Sequence, residues 1–218
     1  MSEREALIAG IVEETAETAG LTGRATLSPR VLAALRRVPR EAFVLAADIA
    51  EAYDNAPLPI GHGQTISQPF IVAIMTELLD IAADQSVLEI GTGSGYQAAI
   101  LVALARQVWS VECVPALAER ARAALAEARC ANVEIRCGDG AFGWPEHAPY
   151  DAIIVTAAAP SIPPALIAQM KPGGRLIAPL GSAFETQSLT LVEKRPSGEI
   201  AQRMIMPVAF VPLVSGRG

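Results

Sequence analysis

A glycine-rich segment contains the residue types best suited to chemistry in this sequence. It reads VLEIGTGSGYQAA and places Gly91, Gly93 and Gly95 between a run typical of a strand and a run typical of a helix. Glycines in such a loop allow positive φ angles and a close approach of a ligand to the backbone, and the helix begins with unpaired N–H groups. The segment therefore predicts a loop that binds a cofactor.

The spacing of the glycines distinguishes between two kinds of cofactor. The dinucleotide fingerprint is G-x-G-x-x-G/A, and Tyr96 occupies its last position here. The loop instead reads G-x-G-x-G and is preceded by the acidic Glu89, a pattern associated with enzymes that use S-adenosylmethionine. A phosphate-binding G-x-x-x-x-G-K-[ST] loop does not occur in the sequence. We favour S-adenosylmethionine and keep a dinucleotide as the alternative.

Two further acidic residues lie at the ends of the next two predicted strands. Glu112 ends the run VWSVE, where a carboxylate would accept hydrogen bonds from both hydroxyls of a ribose. Asp139 lies in Gly138-Asp139-Gly140, where it would accept from the amino group of an adenine. Ligands of open parallel sheets bind outside the carboxyl ends of the strands, so these positions together predict a nucleoside site. The alternatives are a tight turn for the glycines, a surface acid for Glu112 and an Asx-turn for Asp139.

The elements that must position these residues alternate between strands and helices from residue 85 onward, as in a parallel sheet. The predicted strands are Ser86–Ile90, Gln107–Glu112, Val133–Cys137, Tyr150–Thr156 and Arg175–Leu180. The predicted helices are Tyr96–Ala105, Pro115–Ala128 and Pro163–Gln169. Two later strands, around Ser188–Lys194 and Gln202–Val211, leave no room for a full helix and predict an antiparallel pair. The predicted fold class is α/β, with a doubly wound and mostly parallel sheet.

The first 84 residues predict a helical cap. Helices are expected over Glu3–Ala19, from Pro29 to Arg37 with Ser28 as N-cap, and from Pro69 to about Ile81. Between them, AYDNAPLPIGHGQTISQPF is too irregular for either a helix or a strand period and is expected to be a functional loop. We expect one domain over residues 1–218, with the cap and loop in 1–84 and the cofactor-binding core in 85–218.

Composition excludes several classes of partner. The 218 residues carry 17 Lys and Arg against 23 Asp and Glu, so the net charge of −6 disfavours a nucleic-acid or anionic-membrane surface. The apolar run Tyr96–Ala105 is too short to span a membrane, and the acidic N-terminus lacks the pattern of a secretory signal. Three cysteines without C-x-x-C spacing support neither a disulfide framework nor a four-cysteine zinc site. We expect a cytoplasmic protein that binds no metal.

The sequence from about Arg40 to Val214 resembles the protein-L-isoaspartate O-methyltransferases. The glycine loop is common to many methyltransferases, whereas GHGQTISQP is far more specific. The segments that carry the resemblance are PLPIGHGQTISQP (Pro57–Pro69), VLEIGTGSGYQAA (Val87–Ala99), GDG (Gly138–Gly140), YDAIIVTAAAP (Tyr150–Pro160), MKPGGRL (Met170–Leu176) and FVPLV (Phe210–Val214).

This resemblance implies a Rossmann-like class I methyltransferase that repairs damaged proteins. The cofactor would be S-adenosylmethionine, the product S-adenosylhomocysteine, and the substrate the free α-carboxylate of an L-isoaspartyl residue. Ser67 would be the active-site residue, and Pro59, His62 and Val211 would belong to the substrate loop. The residues implied or predicted to bind the cofactor are Gln64, Thr65, Ile66, Glu89, Gly91, Gly93, Gly95, Glu112, Asp139 and Gly140.

The implied chemistry needs little from acid–base residues. A free α-carboxylate is already ionised at neutral pH, so no general base is required, which suits a chain with only two histidines. Of these, His62 is expected to hydrogen-bond within its loop and His147 to face solvent. Ser67 has an alternative role, because its hydroxyl would cap the helix that begins at Pro69.

Other methyltransferases and a binding protein are the competing hypotheses. After the strand Tyr150–Thr156, amine-modifying nucleic-acid enzymes carry [DN]PP[YFW], cytosine-C5 enzymes carry a Pro-Cys nucleophile, and metal-dependent catechol enzymes carry carboxylates. This chain has VTAAAP there and matches none of them. A non-catalytic binding protein of the same fold has no support in the sequence, because Ser67 and the cofactor residues are all present.

Overall fold

The N-terminal part of the computed structural model, which describes residues 1–182 and 185–214, consists of helices and one hairpin. The helices are α1 (Glu3–Glu17), α2 (Ala19–Thr22), α3 (Pro29–Arg37) and α4 (Pro69–Leu79). The hairpin lies between α3 and α4 and consists of β1 (Leu58–Gly61) and β2 (Gln64–Ile66). Ser28 caps α3 as expected, because its side chain accepts a hydrogen bond from the amide of Val31.

A seven-stranded sheet forms the centre of the molecule. Its strands are β3 (Ser86–Ile90), β4 (Gln107–Glu112), β5 (Val133–Cys137), β6 (Tyr150–Val155), β7 (Met170–Leu180), β8 (Gln187–Lys194) and β9 (Ile200–Val208). The connecting helices are α5 (Tyr96–Val102), α6 (Pro115–Glu127) and α7 (Pro164–Ala168). The spatial order is β5-β4-β3-β6-β7-β8-β9, parallel up to β7 and antiparallel beyond it. The predicted doubly wound, mostly parallel sheet with a C-terminal antiparallel pair is confirmed.

The segment expected to be irregular is a hairpin, so that expectation was wrong. Leu58 pairs with Ile66 and Pro59 with Thr65 across it. The turn needs positive φ angles, which Gly61, His62 and Gly63 adopt at 83°, 55° and 69°. Strands of three and four residues that contain proline and glycine are too short to show an alternating pattern, which is why the sequence did not reveal them.

Strand β7 also begins earlier than predicted. It starts at Met170 rather than Arg175, and its pairing with β6 shifts register between Tyr150 and Ala152. Lys171-Pro172-Gly173-Gly174 has the composition of a turn, but the structure accommodates it as an irregular start of the strand. The tertiary pairing with β6 therefore overrides the local sequence signal.

Two hydrophobic clusters lie on the two faces of the sheet. Successive residues of a strand point to opposite faces, and accordingly Val87 belongs to one cluster and Leu88 to the other. The larger cluster joins the sheet to α1, α3, α4, α5 and α6, and the smaller one includes Leu166 of α7. The N-terminal helices thus share one core with the sheet, and the carboxyl ends of β3, β4 and β6 form the floor of the site.

Candidate active site

A cleft of about 710 Å³ opens at the carboxyl ends of β3, β4 and β6. We call it the first cleft. Its walls come from the hairpin, the glycine loop, the end of β4 and the C-terminal segment. Its lining is Gln64–Ser67, Val72, Ile90–Ser94, Tyr96, Gln97, Val111–Cys113, Leu117, Gly140, Thr156, Ala157 and Val211–Val214.

The glycine loop lines this cleft, and at Gly91 it has no room for a side chain. Gly91 has a φ of 94°, and its N–H donates to Val111 O over 2.8 Å. A Cβ on Gly91 would lie 2.4 Å from Oγ1 of Thr156, which itself donates to Gly91 O over 2.6 Å. Gly95 has a φ of 91° and is the N-cap of α5. The predicted loop between strand and helix is therefore present, and its residues Gly91–Ser94 line the cleft.

Glu112 lies where the sequence placed it, at the end of β4 in the wall of the first cleft. Its side chain also organises the loop, because Oε2 accepts the Gly93 N–H at 2.8 Å and Oε1 accepts the Val114 N–H at 2.9 Å. A carboxylate oxygen has two lone pairs, and Oε1 also accepts from the Cys113 thiol at 3.7 Å, so the remaining acceptor capacity lies on Oε2. Oε2 can therefore accept a hydrogen bond from a ribose hydroxyl.

Glu89 lies behind the first cleft rather than in its lining. It is fully buried, and its Oε2 accepts a hydrogen bond from Ser110, whose hydroxyl is in turn bonded to Thr92 of the glycine loop. Burial raises the pKa of Glu89 to about 8, while the Ser110 hydrogen bond lowers it and nearby Glu112 raises it further. Its Oε1 has no hydrogen-bond partner among the described residues. Direct contact of Glu89 with a cofactor stays a prediction, and the geometry connects Glu89 to the loop through two hydroxyls.

Asp139 follows β5 as predicted and initiates a turn. One oxygen, Oδ1, accepts the Ala141 N–H at 2.9 Å, which is the Asx-turn considered as an alternative. The neighbouring Gly140 lines the first cleft, and a Cβ there would lie 2.4 Å from Cγ2 of Ile90. The adenine contact of Asp139 stays a prediction for its other oxygen.

The hairpin and the C-terminal segment both line the first cleft. Gln64, Thr65, Ile66 and Ser67 come from the hairpin and the residue after it. Ala158 donates to Val211 O at 2.8 Å and accepts from Leu213 N at 2.7 Å. These bonds attach the segment that contains Val211 to the residues following β6.

Ser67 is half-buried and lines two clefts at once. The alternative that its hydroxyl caps α4 is wrong, because Gln68 is the N-cap residue and the Phe70 N–H is bonded by Oδ1 of Asn55 at 3.0 Å. The Ser67 hydroxyl makes no hydrogen bond within residues 1–182 and 185–214. It is therefore available to a ligand.

A second cleft adjoins the first and is lined mostly by apolar side chains. Its empty volume is about 760 Å³, and it shares Thr65, Ser67, Thr156 and Val211 with the first cleft. The remaining lining residues are Glu14, Pro57, Gln68, Phe70, Ile71, Met206, Pro207, Val208, Ala209 and Phe210. The four shared residues mark the junction at which groups bound in the two clefts would meet.

Of the predicted cofactor residues, Glu89, Gly95 and Asp139 line neither cleft, and three further residues lie at the surface away from both. Pro59 is exposed on β1, and His62 is exposed in the hairpin turn. His147 is exposed as expected and stacks on Trp109, with ring centroids 3.4 Å apart. The substrate-loop roles of Pro59 and His62 stay predictions, and both would need a substrate that extends across the outer surface of the hairpin.

Thr156 is a site residue that the sequence interpretation did not assign. It follows β6 directly, lines both clefts and bonds to the glycine loop. The available signal was its position, because the strand beside β3 ends at the same edge as the glycine loop.

Across the described residues, no group of three or more His, Cys, Asp or Glu side chains has the geometry of a metal site, and no helix is long and apolar enough to cross a membrane.

Comparisons with known proteins find relatives over most of the chain. The family model for protein-L-isoaspartate(D-aspartate) O-methyltransferase matches residues 20–218. Protein-L-isoaspartate O-methyltransferase 2 of Syntrophobacter fumaroxidans is 54% identical over 213 residues, which are 98% of this chain and 86% of that protein. Protein-L-isoaspartate O-methyltransferase 2 of a Polaromonas species is 54% identical over 201 residues, which are 92% of this chain and 95% of that protein.

Solved structures show the same fold. A protein-L-isoaspartate O-methyltransferase superposes with a TM-score of 0.83 at 28% identity, over 99% of this chain and 67% of that chain. A structure from Plasmodium falciparum, described as a protein-L-isoaspartate O-methyltransferase in complex with S-adenosyl-L-homocysteine, has a TM-score of 0.81 at 21% identity over 98% and 99% of the two chains. At that identity, the second likeness shows the fold alone. With the family model matching almost the whole sequence, this chain belongs to the protein-L-isoaspartate(D-aspartate) O-methyltransferase family.

Proposed function

We propose that this protein transfers the methyl group of S-adenosylmethionine to the free α-carboxylate of L-isoaspartyl residues in damaged proteins and peptides. The observation that carries the proposal is the junction of the two clefts. The first cleft has the carboxylate of Glu112, which suits a nucleoside, the second adjoins it and would hold the peptide, and Ser67 lines both. A methyl donor and a carboxylate bound in adjoining clefts would meet beside its hydroxyl.

The chemistry of the first cleft fits S-adenosylmethionine. Glu112 would hold the ribose with the acceptor capacity that remains on its Oε2. The apolar side chains of Val111, Leu117 and Leu213 line the cleft and would contact the adenine. Asp139 lies outside the lining, beside Gly140, and its free oxygen would accept from the adenine amino group. The amino-acid part would lie against Gly91 and Gly93, which line the cleft.

The reaction requires positioning more than acid–base catalysis. When bound, S-adenosylmethionine supplies an electrophilic methyl group on a positively charged sulfur, which the substrate carboxylate accepts as a methyl ester. That carboxylate is ionised at neutral pH and needs no base. Consistent with this, the described residues that line the two clefts include no histidine.

Ser67 would orient the reacting carboxylate. Its hydroxyl would donate a hydrogen bond to one carboxylate oxygen and leave the other free to react. Thr65 and Val211, which lie at the same junction, would exclude water from it. Holding two reacting groups in one geometry accounts for large rate gains in enzymes.

The later steps of repair need no enzyme. The methyl ester activates the carbonyl, the neighbouring amide nitrogen closes a succinimide with loss of methanol, and hydrolysis of the ring restores some normal aspartate.

We place the activity in the cytoplasm, because the three cysteines are all free thiols, as is usual in a reducing compartment.

Radiolabelled methyl transfer to an isoaspartyl peptide tests this proposal. The peptide is incubated with the protein and methyl-labelled S-adenosylmethionine, and the product is then treated with mild alkali. We expect the label on the peptide to be released as volatile methanol, because an ester is hydrolysed by alkali and an N-methyl group is not. Label that survives alkali, or that appears only on nucleic acid, would contradict the proposal.

A further inference from the structure

Arg40 is the largest fully buried side chain of the described residues. It lies in a short turn after α3, at a relative exposure of 0%. Burying a guanidinium is unfavourable unless its environment replaces the water it loses. Burial lowers the pKa of Arg40 to about 10, which still leaves the group charged at neutral pH. No carboxylate within the described residues lies at ion-pair distance from it, so its partners must be sought elsewhere.

The partners of Arg40 are two carbonyl oxygens at the base of the hairpin. Nη1 donates to Ser67 O at 3.0 Å, and Nη2 donates to Ala56 O at 3.1 Å. Ala56 comes just before the hairpin and Ser67 just after it. One planar guanidinium therefore joins the two ends of the chain segment that forms a wall of the first cleft.

The same guanidinium also contacts the element that follows the glycine loop. Its carbon lies 5.1 Å from the centroid of the Tyr96 ring, at the start of α5. Tyr96 lines the first cleft and is itself buried. The Arg40 guanidinium therefore contacts both Ser67 and the residue that follows the glycine loop, so it can hold them at a fixed distance from each other.

We propose that Arg40 is a positioning residue that fixes Ser67 and the hairpin relative to the glycine loop. The proposal rests on the proposed function, since it acts through the Ser67 hydroxyl at the junction of the clefts. A lysine would not substitute for Arg40, because an ammonium is a point charge that lacks the fixed fork needed to join two separate carbonyls. Nε of Arg40 has no hydrogen-bond partner in the described part of the chain. The two Nη groups therefore make all of its hydrogen bonds to the hairpin ends, and their fixed spacing is the feature that a lysine lacks.

Arg30 provides a control for the loss of a backbone bridge. Its Nη1 donates to Ile81 O at 2.6 Å and its Nη2 to Leu104 O at 2.8 Å, so it also joins two backbone segments through one guanidinium. It lines neither cleft. Because Arg30 is exposed and Arg40 is buried, the free energy of unfolding of each variant is measured beside its kcat, so that a loss of stability is told apart from a loss of positioning.

The experiment compares Arg40→Lys and Arg30→Lys at a temperature at which both are folded. We expect Arg40→Lys to lower kcat on an isoaspartyl peptide about tenfold or more, because small misplacements of reacting groups are costly. For Arg30→Lys, binding of S-adenosylhomocysteine should change less than about threefold and kcat less than about twofold. Arg40→Lys should also weaken binding of S-adenosylhomocysteine, because the hairpin that Arg40 fixes lines the first cleft. Combined with Ser67→Ala, Arg40→Lys should lower kcat by less than about threefold further, because the group through which it acts is gone.

Several outcomes would overturn this assignment. One is an equal effect of the two lysine variants on kcat, and another is a full tenfold loss from Arg40→Lys in the Ser67→Ala background. If Arg40→Lys does not fold, amide hydrogen exchange of the wild-type chain is the test of the Arg40 clamp, by which we mean its two hydrogen bonds to the hairpin ends. The cross-strand amides of the hairpin should then exchange as slowly as those of β3, and rapid exchange would contradict the clamp. A wild-type protein without isoaspartyl activity would contradict the proposed function instead, and the exchange measurement would still test the clamp.

Discussion

Ser67 combines a free hydroxyl with a position at the junction of the two clefts. If it orients the carboxylate, Ser67→Ala should lower kcat/KM on an isoaspartyl peptide tenfold or more, equivalent to about 1.4 kcal/mol in the barrier. The melting temperature should change little, because Asn55 and not Ser67 bonds the first turn of α4. Steady-state kinetics beside a melting curve measure both effects.

Asn55→Ala is the control for this prediction. It removes the hydrogen bond to the Phe70 N–H and the one that Nδ2 donates to Glu14 Oε2 at 2.7 Å, and loss of the helix cap should lower the free energy of unfolding by about 1 kcal/mol. Glu14 lines the second cleft, so we expect kcat/KM to fall at a permissive temperature by much less than the tenfold loss of Ser67→Ala. A normal rate for Ser67→Ala would remove Ser67 from the mechanism.

Glu112 is the residue on which the cofactor proposal depends most. Glu112→Gln keeps one acceptor oxygen but loses the charge, so we expect affinity for S-adenosylhomocysteine to fall by about 1.5–3 kcal/mol, or tenfold to a hundredfold. Isothermal calorimetry measures this directly. Glu119→Gln, on the exposed side of α6, should bind as wild type does. Unchanged affinity of a folded Glu112→Gln would contradict the placement of the ribose.

Residues at strand ends could be predicted from sequence, whereas residues that act through the backbone could not. The glycine loop and Glu112 follow apolar runs, and the geometry of parallel sheets brings such positions together. Arg40 donates to the carbonyl oxygens of Ala56 and Ser67, and every residue has a carbonyl oxygen. No local pattern distinguishes that arginine from a surface one, so only the tertiary structure reveals it.

At the scale of the elements, a chain of hydrogen bonds couples β3 and β4 to the glycine loop. Glu89 on β3 accepts from Ser110 on β4, which is bonded to Thr92 in the loop. Because burial raises the pKa of Glu89 to about 8, the folded protein holds a proton on it that the unfolded chain releases near pH 4.5. The folded state thus binds more protons between these values, and its stability declines as the pH rises through them.

This coupling predicts a pH-dependent difference between wild type and Glu89→Gln, since glutamine resembles the protonated acid. The free energy of unfolding of wild type relative to the variant should fall from about pH 4.5 to about pH 8, by at most about 1.4 kcal/mol per pH unit, and then level off. Urea titrations across this range provide the measurement. A difference independent of pH would show that Glu89 is ionised in the folded protein.

The sequence predicted the strands β3, β4 and β5 more reliably than the hairpin or the start of β7. Strands β3, β4 and β5 lie at the predicted bounds, because each is a distinct run between helical patterns. The hairpin was missed, although its sequence carries the specific resemblance to the family. Its conformation depends on positive φ angles in the turn and on the Arg40 clamp, and neither appears as a periodic pattern.

At the scale of the whole molecule, we propose that the chain is one domain. The larger hydrophobic cluster contains residues from α1, α3 and α4 as well as from the sheet, so the cap lacks a separate core. Urea unfolding followed by tryptophan fluorescence, which reports on Trp109 and Trp144, should have the same midpoint as unfolding followed by far-UV circular dichroism. Two separated transitions would indicate that the cap unfolds independently.

The central claim is that the two clefts select a carboxylate by its position. Its most direct test is the ratio of kcat/KM for two peptides of identical sequence that contain either L-isoaspartate or normal aspartate at one position. The two carboxylates differ by the displacement of one methylene, and we predict a preference for the isoaspartyl peptide of about a hundredfold or more, because positioning supplies most of the catalysis. Equal rates for the two peptides, or faster labelling of tRNA or DNA than of either, would contradict the account.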